Sequence, residues 1–274
     1  MFQEQKIKEI ARQIRRDIVT MIHAAGSGHP GGSLSAADLL ATLYFTDQFR
    51  CDPSSPNWAE RDRFILSKGH TAPVIYSVLA RRGFFPPEEL LTLRRFGSRL
   101  QGHPKKDATP GLDCSSGSLG QGLSIANGIA FALQRRGSDA RVYCLMGDGE
   151  LQEGQAWEAA MFAPQHGLDN ICALVDYNNV QLDGRVDEIK EVQPLREKWE
   201  AFRWNVIETD GHDVSAIYSA YQAARACKGR PTVILAQCVK GKGVSYMENS
   251  AKWHGTAPND EEYAQAMAEL EVEA

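Results

Sequence analysis

Two short apolar runs, each ending in a polar turn, constrain the fold of this chain more than any other feature. The first run, YCLM, leads into Gly-Asp-Gly at residues 147–149, and the second, ICALV, leads into Asp-Tyr-Asn-Asn at residues 176–179. A helix-like segment separates them, which predicts a strand–helix–strand unit. The unit places the Asp148 carboxylate and the Asn178 amide at the ends of two strands.

These two side chains offer the hard oxygen ligands that Mg²⁺ prefers, and they are 30 positions apart (178 minus 148). Gly147 and Gly149 let the backbone approach an anion closely, and a helix beginning near Glu153 would direct its positive end to the same place. A lone Gly-Asp-Gly predicts only a turn. The whole pattern is more specific and favours a site for a divalent metal and a diphosphate.

The pattern GDG…NN resembles the thiamine diphosphate signature. In that signature the side chains of Asp148 and Asn178 bind the metal, and the backbone carbonyl of Val180 is a third ligand. The resemblance therefore implies thiamine diphosphate as the cofactor. It also implies Mg²⁺ as the metal, with Ca²⁺ or Mn²⁺ as substitutes.

Composition and element order predict a single α/β domain over residues 1–274. The chain is 43% hydrophobic and 24% charged, which is enough to bury a large core, and no linker interrupts it. Strands and helices alternate, so we expect a doubly wound, mostly parallel sheet with helices on both faces. The expected strands are 61–67, 142–146, 171–176, 204–208 and 232–238, and the expected helices are 4–24, 33–45, 73–82, 87–95, 118–136, 153–166, 195–203, 214–226 and a closing acidic helix from 261.

Charge and apolar patterning exclude two classes of partner. The net charge of −5 gives no broad cationic surface, so nucleic acid is not an expected partner. The N-terminal segment lacks an apolar signal core, and no apolar run approaches the roughly 18 residues that a membrane span needs, so a cytoplasmic protein is expected. The six cysteines form no CxxC pair and are read as core or loop residues.

Four of the seven histidines lie in glycine-rich loops: His29, His70, His103 and His254. The ordinary pKa of histidine suits proton transfer, and neutral imidazole can hydrogen-bond a phosphate or a hydroxyl group. Each could alone be an ordinary loop residue, and His212 in the DGHD turn is predicted to be a loop or capping residue. The glycine-rich loop around residue 120 has neither the order nor the context of a dinucleotide fingerprint, which excludes NAD.

Several segments resemble the transketolase family: SGHPGGSLSAADLLATLYF, DRFILSKGH, the loop containing QGHPKK and GSLGQG, and the WHG near the end. The resemblance implies that His29 and His103 line a sugar channel and that His70 contacts both cofactor and substrate. It implies that His254 is a further active-site histidine. Lys240 and Lys242, just before the last segment, are either solvated charges or steer phosphorylated sugars toward the cleft.

The same resemblance implies that the main chain around Gly117 and Leu119 contacts the aminopyrimidine of the cofactor. Glu153 either belongs to an acidic network between paired cofactor sites or is a first-turn acid favoured by the helix dipole. The chain departs from the family twice, with Lys105 where an acid is usual and Ser118 where proline is usual. Because His103 and the backbone pattern are retained, these departures concern substrate contacts more than cofactor binding.

The resemblance covers residues 8–260 but only the first of three transketolase domains; the pyrimidine-binding and C-terminal domains are absent from it. In this family the carboxylic acid that activates the cofactor belongs to the next domain. We therefore predict the diphosphate-binding subunit of a split transketolase, paired with a separate pyrimidine-binding subunit in a heterotetramer. It would move a two-carbon ketol unit from a ketose phosphate to an aldose phosphate. The alternatives are a 1-deoxyxylulose-5-phosphate synthase-like enzyme, a dehydrogenase-type decarboxylase, a sulfo-sugar transketolase and a non-catalytic regulatory subunit.

Overall fold

Five parallel strands form one sheet in residues 2–271, the part of the chain that the computed structural model describes. In chain order they are β1 Arg63–Leu66, β2 Val142–Gly147, β3 Ile171–Tyr177, β4 Asn205–Asp210 and β5 Thr232–Gln237. Their order across the sheet is β1-β2-β3-β5-β4, and each neighbouring pair is parallel. Gly147 lies opposite Asp176, so the polar turns after β2 and β3 begin at the same level.

Helices cover both faces of the sheet, which confirms the doubly wound architecture. They are α1 Glu4–Ala25, α2 Pro30–Ser35, α3 Ala37–Tyr44, α4 Ala72–Arg82, α5 Gly122–Arg135, α6 Gly154–Gln165, α7 Val186–Ile189, α8 Leu195–Ala201, α9 Val214–Ala226 and α10 Asp260–Glu269. Because strand side chains alternate between faces, Tyr143 and Leu145 join the core under α1 to α4, α9 and α10, whereas Cys144 and Met146 join the core under α5 to α8.

Helix α1 follows its sequence pattern closely. Its isoleucines recur every three or four residues, and Ile7, Ile14 and Ile18 are buried on one face. Gly26 ends the helix in the left-handed conformation, φ +60°, and its N–H bonds back to the His23 carbonyl. The predicted helix 4–24 is therefore confirmed.

Two predicted helices have different limits in the structure. The helix predicted for 33–45 begins at Pro30, because proline suits the first helical position, and it breaks at Ala36 into α2 and α3. Ser33 does not cap it; its hydroxyl donates to the His29 carbonyl at 2.6 Å. The helix predicted for 118–136 begins only at Gly122, since Gly120 adopts a left-handed φ of +81°.

Two further predictions are corrected at shorter elements. Residues 87–95 form a 3-10 helix over Pro87–Thr92, which ends before the left-handed Arg94. A 3-10 turn, Gly149–Gln152, precedes α6. The closing helix begins at Asp260, and residues 272–274 of that prediction lie outside the described residues. Within residues 2–271, every helix is too short or too polar to cross a membrane.

Candidate active site

The loops that leave the carboxyl ends of β1, β2, β3 and β5 converge with the loop between α1 and α2. This edge of a parallel sheet is where ligands bind in open α/β folds. The start of α2, which follows that loop, packs directly on the loop after β5, where Gly241 donates its N–H to the Gly31 carbonyl at 3.0 Å. A Cβ on Gly31 would lie 2.9 Å from the Trp253 carbonyl oxygen, so only glycine allows this approach.

The structure brings the four predicted histidines together. The ring centroid of His29 lies 5.2 Å from that of His70, 5.5 Å from that of His254 and 6.5 Å from that of His103. The rings of His70 and His254 stack at 5.1 Å with an interplanar angle of 21°. Residues 225 positions apart (254 minus 29) therefore form one imidazole cluster.

These imidazoles are neutral near pH 7. Burial, with the charge of Arg94 second, lowers the pKa of His29 to about 4. Burial and the Lys240 ammonium lower the pKa of His254 to about 3. Burial also lowers the pKa of His70 well below its usual value, and that of the more exposed His103 to a lesser extent. Neutral rings can both accept and donate hydrogen bonds, as sugar hydroxyls require.

The predicted metal ligands lie in two adjoining turns, one after β2 and one after β3, which a hydrogen bond joins. The Asp148 carboxylate accepts from the N–H of Gly149 at 2.8 Å and from the N–H of Asn179. The Asn178 side-chain oxygen accepts from the N–H of Val180 at 3.0 Å. Together the two turns, called the oxygen-rich turn below, place carboxylate, amide and carbonyl oxygens at the ends of β2 and β3.

This donor set fits a magnesium-type ion, which prefers oxygen ligands. Within residues 2–271, no three His, Cys, Asp or Glu side chains form a group that could hold a metal. The predicted site needs only one, Asp148, because an amide and a backbone carbonyl complete it. Burial and the nearby Asp176 carboxylate raise the pKa of Asp148 to about 6, and a cation is the natural compensation for such a carboxylate.

Asp176 and Lys68 form a fully buried ion pair beside the turn, which sequence reasoning missed. The Lys68 ammonium bonds to Asp176 and donates to the Gly32 carbonyl at 2.9 Å. Asp176 also accepts from Ser35 and, at 3.0 Å, from the Asn178 amide. Burial alone would raise the pKa of Asp176, but the Lys68 charge and these hydrogen bonds hold it below its usual value. The pair fixes the orientation of Asn178.

Lys240 lies at the centre of the site, 2% exposed. Its ammonium donates to the Val180 carbonyl at 2.8 Å and lies 2.9 Å from Nδ1 of His254. Burial, with the Lys68 charge second, lowers its pKa to about 8. The sequence left open whether Lys240 is solvated; the structure buries it, in contact with the Val180 carbonyl and with His254.

Of the two glutamates that follow Gly-Asp-Gly, Glu150 is buried, whereas the predicted Glu153 is exposed. Glu150 accepts from Ser67, from the N–H of Gly120 at 2.8 Å and from the N–H of Gly147 at 3.1 Å. It thereby ties the ends of β1 and β2 to the glycine-rich loop. In the sequence, Glu150 is marked only by its position directly after Gly-Asp-Gly. A polar residue in such a turn is normally expected to be exposed, so its burial could not be predicted.

The glycine-rich loop packs beside the histidine cluster. Gly117 packs against His103, and a Cβ on it would lie 3.3 Å from the His103 ring. Leu119 is partly exposed beside it. Among the predicted residues, Gly147 ends β2, and Asp148 and Gly149 lie in the turn after it.

A parallel sheet with an oxygen-rich turn, a buried lysine and clustered histidines at its carboxyl edge defines a cofactor-binding domain of the thiamine diphosphate class. The chain belongs to the transketolase family, because the profile "Transketolase, thiamine diphosphate binding domain" matches residues 6–274. This confirms the predicted family and its cofactor.

Two relatives match the chain over nearly their whole length. It is 44% identical to the 6-deoxy-6-sulfo-D-fructose transketolase subunit SqwG of a Clostridium species, over 99% of this chain and 98% of that one. It is 40% identical to one subunit of the apulose-4-phosphate transketolase of Phocaeicola vulgatus, over 93% and 90%.

The crystal structure of transketolase from Campylobacter jejuni superposes with a TM-score of 0.93 at 32% identity. The match covers 99% of this chain but 44% of that one. The predicted fold is therefore confirmed, and the chain spans less than half the length of that transketolase.

Proposed function

We propose that residues 1–274 act as one diphosphate-binding domain, the metal- and cofactor-binding subunit of a transketolase. The enzyme transfers a two-carbon ketol unit from a ketose phosphate to an aldose phosphate, as in the pentose phosphate pathway. The observation that carries the proposal is the junction between two groups of residues. Lys240 joins the Val180 carbonyl of the oxygen-rich turn to His254 of the histidine cluster, at 2.8 and 2.9 Å.

Each group has a separate task in this proposal. Asp148, Asn178 and the Val180 carbonyl hold Mg²⁺, and Lys240 supplies positive charge toward a diphosphate. Thiamine diphosphate, when bound, supplies the carbanion-stabilising centre of the reaction. The neutral imidazoles orient the sugar through its hydroxyls and hold or pass protons at their ring nitrogens.

We further propose a partner subunit that carries the pyrimidine-binding domain and the activating carboxylic acid, in a heterotetramer. The two relatives of matching length are subunits by name, whereas the Campylobacter transketolase chain is more than twice as long. His29, His70 and His254 are only partly buried in this chain and His103 is exposed, as expected where a second chain completes the site. The cytoplasmic location and the absence of nucleic-acid and membrane partners stay predictions.

Reconstitution tests this proposal. The purified chain with Mg²⁺ and thiamine diphosphate should show no ketol transfer, and the mixture with the partner subunit should exceed it by at least about a hundredfold, the usual contribution of one acid catalyst. Turnover by the chain alone at the rate of the mixture would refute the split enzyme. A mixture that assembles but remains inactive with every ketose donor would favour the regulatory subunit.

The relative from Clostridium favours a second candidate, in which the donor is a sulfo-sugar. That relative carries 6-deoxy-6-sulfo-D-fructose in its name and is 44% identical to this chain. The reconstituted enzyme should be assayed with fructose 6-phosphate and with 6-deoxy-6-sulfofructose. A kcat/KM at least tenfold higher for either donor, about 1.4 kcal/mol, decides between the two candidates.

A further inference from the structure

A chain of hydrogen-bonded side chains runs from the first helix to the loop that carries Lys240. Arg15 on α1 donates from both terminal nitrogens to the Asp38 carboxylate on α3, with Nη1 3.1 Å from Oδ1. Asp38 Oδ2 lies 2.7 Å from Nδ1 of His212, and the backbone N–H of Val239 donates to Nε2 of the same ring at 2.8 Å. Arg15 and Asp38 are buried, and the His212 side chain is largely buried.

These contacts fix the tautomer of His212. A backbone N–H can only donate, so Nε2 must present its lone pair to Val239, and Nδ1 must carry the proton that is donated to Asp38. Burial alone would raise the pKa of Asp38, but the Arg15 guanidinium and the His212 hydrogen bond hold it below its usual value. The histidine is therefore a neutral, oriented ring with one acceptor aimed at the backbone.

The Val239 peptide is the point at which the chain leaves the sheet. The N–H of Cys238 still bonds to the Tyr177 carbonyl of β3 at 2.9 Å, as a strand residue would. The N–H of Val239, the next residue, instead donates to Nε2 of His212. The following residue is Lys240, so the direction in which its side chain enters the site depends on how that peptide is held.

We propose that His212 is a positioning residue of the active site. It holds the Val239 peptide so that the Lys240 ammonium contacts the Val180 carbonyl and Nδ1 of His254. In this way it tightens cofactor binding without touching the cofactor. The inference rests on the proposed function, because it takes Lys240 as part of the cofactor site.

The first test measures thiamine diphosphate binding to the enzyme assembled with its partner. His212→Phe keeps a ring but leaves the Val239 N–H without an acceptor, and should weaken binding roughly tenfold. His212→Gln keeps a side-chain acceptor, the amide oxygen, at a similar distance from the backbone. Its affinity for thiamine diphosphate should stay within about threefold of that of the wild type. His23→Gln, the same change on a surface histidine paired with the exposed Asp260, should have no effect. Equal binding by all three variants would overturn the proposal.

The second test asks whether His212 acts through Lys240. Lys240→Met should itself weaken cofactor binding, and adding His212→Phe to it should cause no further loss, because the lysine that the histidine positions is gone. Losses that multiply in the double variant would show that His212 acts by another route.

Two readouts separate a failure of this inference from a failure of the proposed function. If Asp148→Asn leaves cofactor binding intact, the proposed cofactor site is wrong; if Asp148→Asn weakens binding while His212→Phe binds as tightly as the wild type, only the inference fails. Independently of the cofactor, the ¹⁵N-histidine NMR spectrum of the wild-type chain should show His212 as the neutral tautomer protonated at Nδ1. A ring protonated at Nε2 would contradict the geometry.

Discussion

Among single residues, Asp148 illustrates how the fold prepares an oxygen ligand. Two backbone N–H groups orient its carboxylate, yet it is 2% exposed and has no ion pair within residues 2–271. Each carboxylate oxygen retains a free lone-pair direction. The residue is therefore oriented by the backbone and left available for a cation.

Asp148→Asn should weaken Mg²⁺-dependent retention of thiamine diphosphate in the assembled enzyme by roughly a hundredfold, since the metal loses its one charged ligand. The matched control is Asp183→Asn, the same chemical change on an exposed carboxylate in the loop that follows β3. Titration calorimetry with and without Mg²⁺ measures both. Equal affinity of the two variants would remove Asp148 from the metal site.

The histidine cluster predicts a pH dependence of stability. The folded-state pKa of His29, about 4, lies below its unfolded value of about 6.5, so the unfolded chain binds more protons between these values. The contribution of His29 to stability is complete above about pH 6.5 and is lost as the pH falls toward 4.

His29→Asn should flatten this dependence by at most about 1.4 kcal/mol per pH unit, the effect of one proton. Urea unfolding of the isolated chain at several pH values measures the slope. Parallel curves for wild type and variant across that range would contradict the lowered pKa.

The sequence drew attention to residues in recognisable motifs, but it did not reveal two buried charged residues of the same region. Glycine-rich loops drew attention to His29 and His254, and Gly-Asp-Gly drew attention to Asp148. Lys68 and Glu150 were missed because a buried charge is recognisable only once its partners are known, and those partners come from distant loops.

The backbone conformation and surroundings of a glycine decide whether an added methyl group is tolerated. Gly120→Ala should destabilise the chain by about 1–3 kcal/mol, because φ is +81° there and a Cβ would lie 2.7 Å from Cβ of Glu153. Gly128→Ala, on the open surface of α5, should be neutral or stabilise by up to about 1 kcal/mol.

Thermal and urea unfolding of the two variants measures both effects. The two substitutions differ only in backbone conformation and surroundings, so each controls for the other. Equal stabilities would show that the loop before α5 rearranges freely.

Strands were predicted more accurately than helix starts. The apolar runs of β2 and β3 have sharp limits because both faces are buried, and their predicted ends differ from the observed ones by one residue. The start of α5 was misplaced because Gly120 interrupts a segment whose composition alone is compatible with helix. Such a break depends on tertiary contacts, here the bond from the Gly120 N–H to Glu150.

For the whole molecule, the sheet predicts a gradient of local stability. β2, β3 and β5 lie inside the sheet with nearly all residues buried, whereas β4 is an edge strand with half-buried and exposed residues. Amide hydrogen exchange should be slowest in β2 and β3 and fastest, among the strands, in β4. Mass spectrometry of the isolated chain measures this, and slower exchange in β4 than in β3 would contradict it.

The order of strands could not be predicted from the sequence. Local patterns give strands and helices, and these are compatible with β4 on either side of β5. The choice depends on which helix covers which face, and the side chains that decide it, such as Tyr221 and Trp204, are recognised as core only in the folded chain.

The large sequence separation between members of the imidazole cluster has a consequence during protein synthesis. His29 and His254 are 225 positions apart in the sequence (254 minus 29), and the proposed metal ligands Asp148 and Asn178 lie between them. Contacts so distant in sequence form late, because the intervening loop must first be closed. A chain still being translated can complete α1 and α2 early, but it cannot capture a cofactor with the full set of ligands until translation has passed His254.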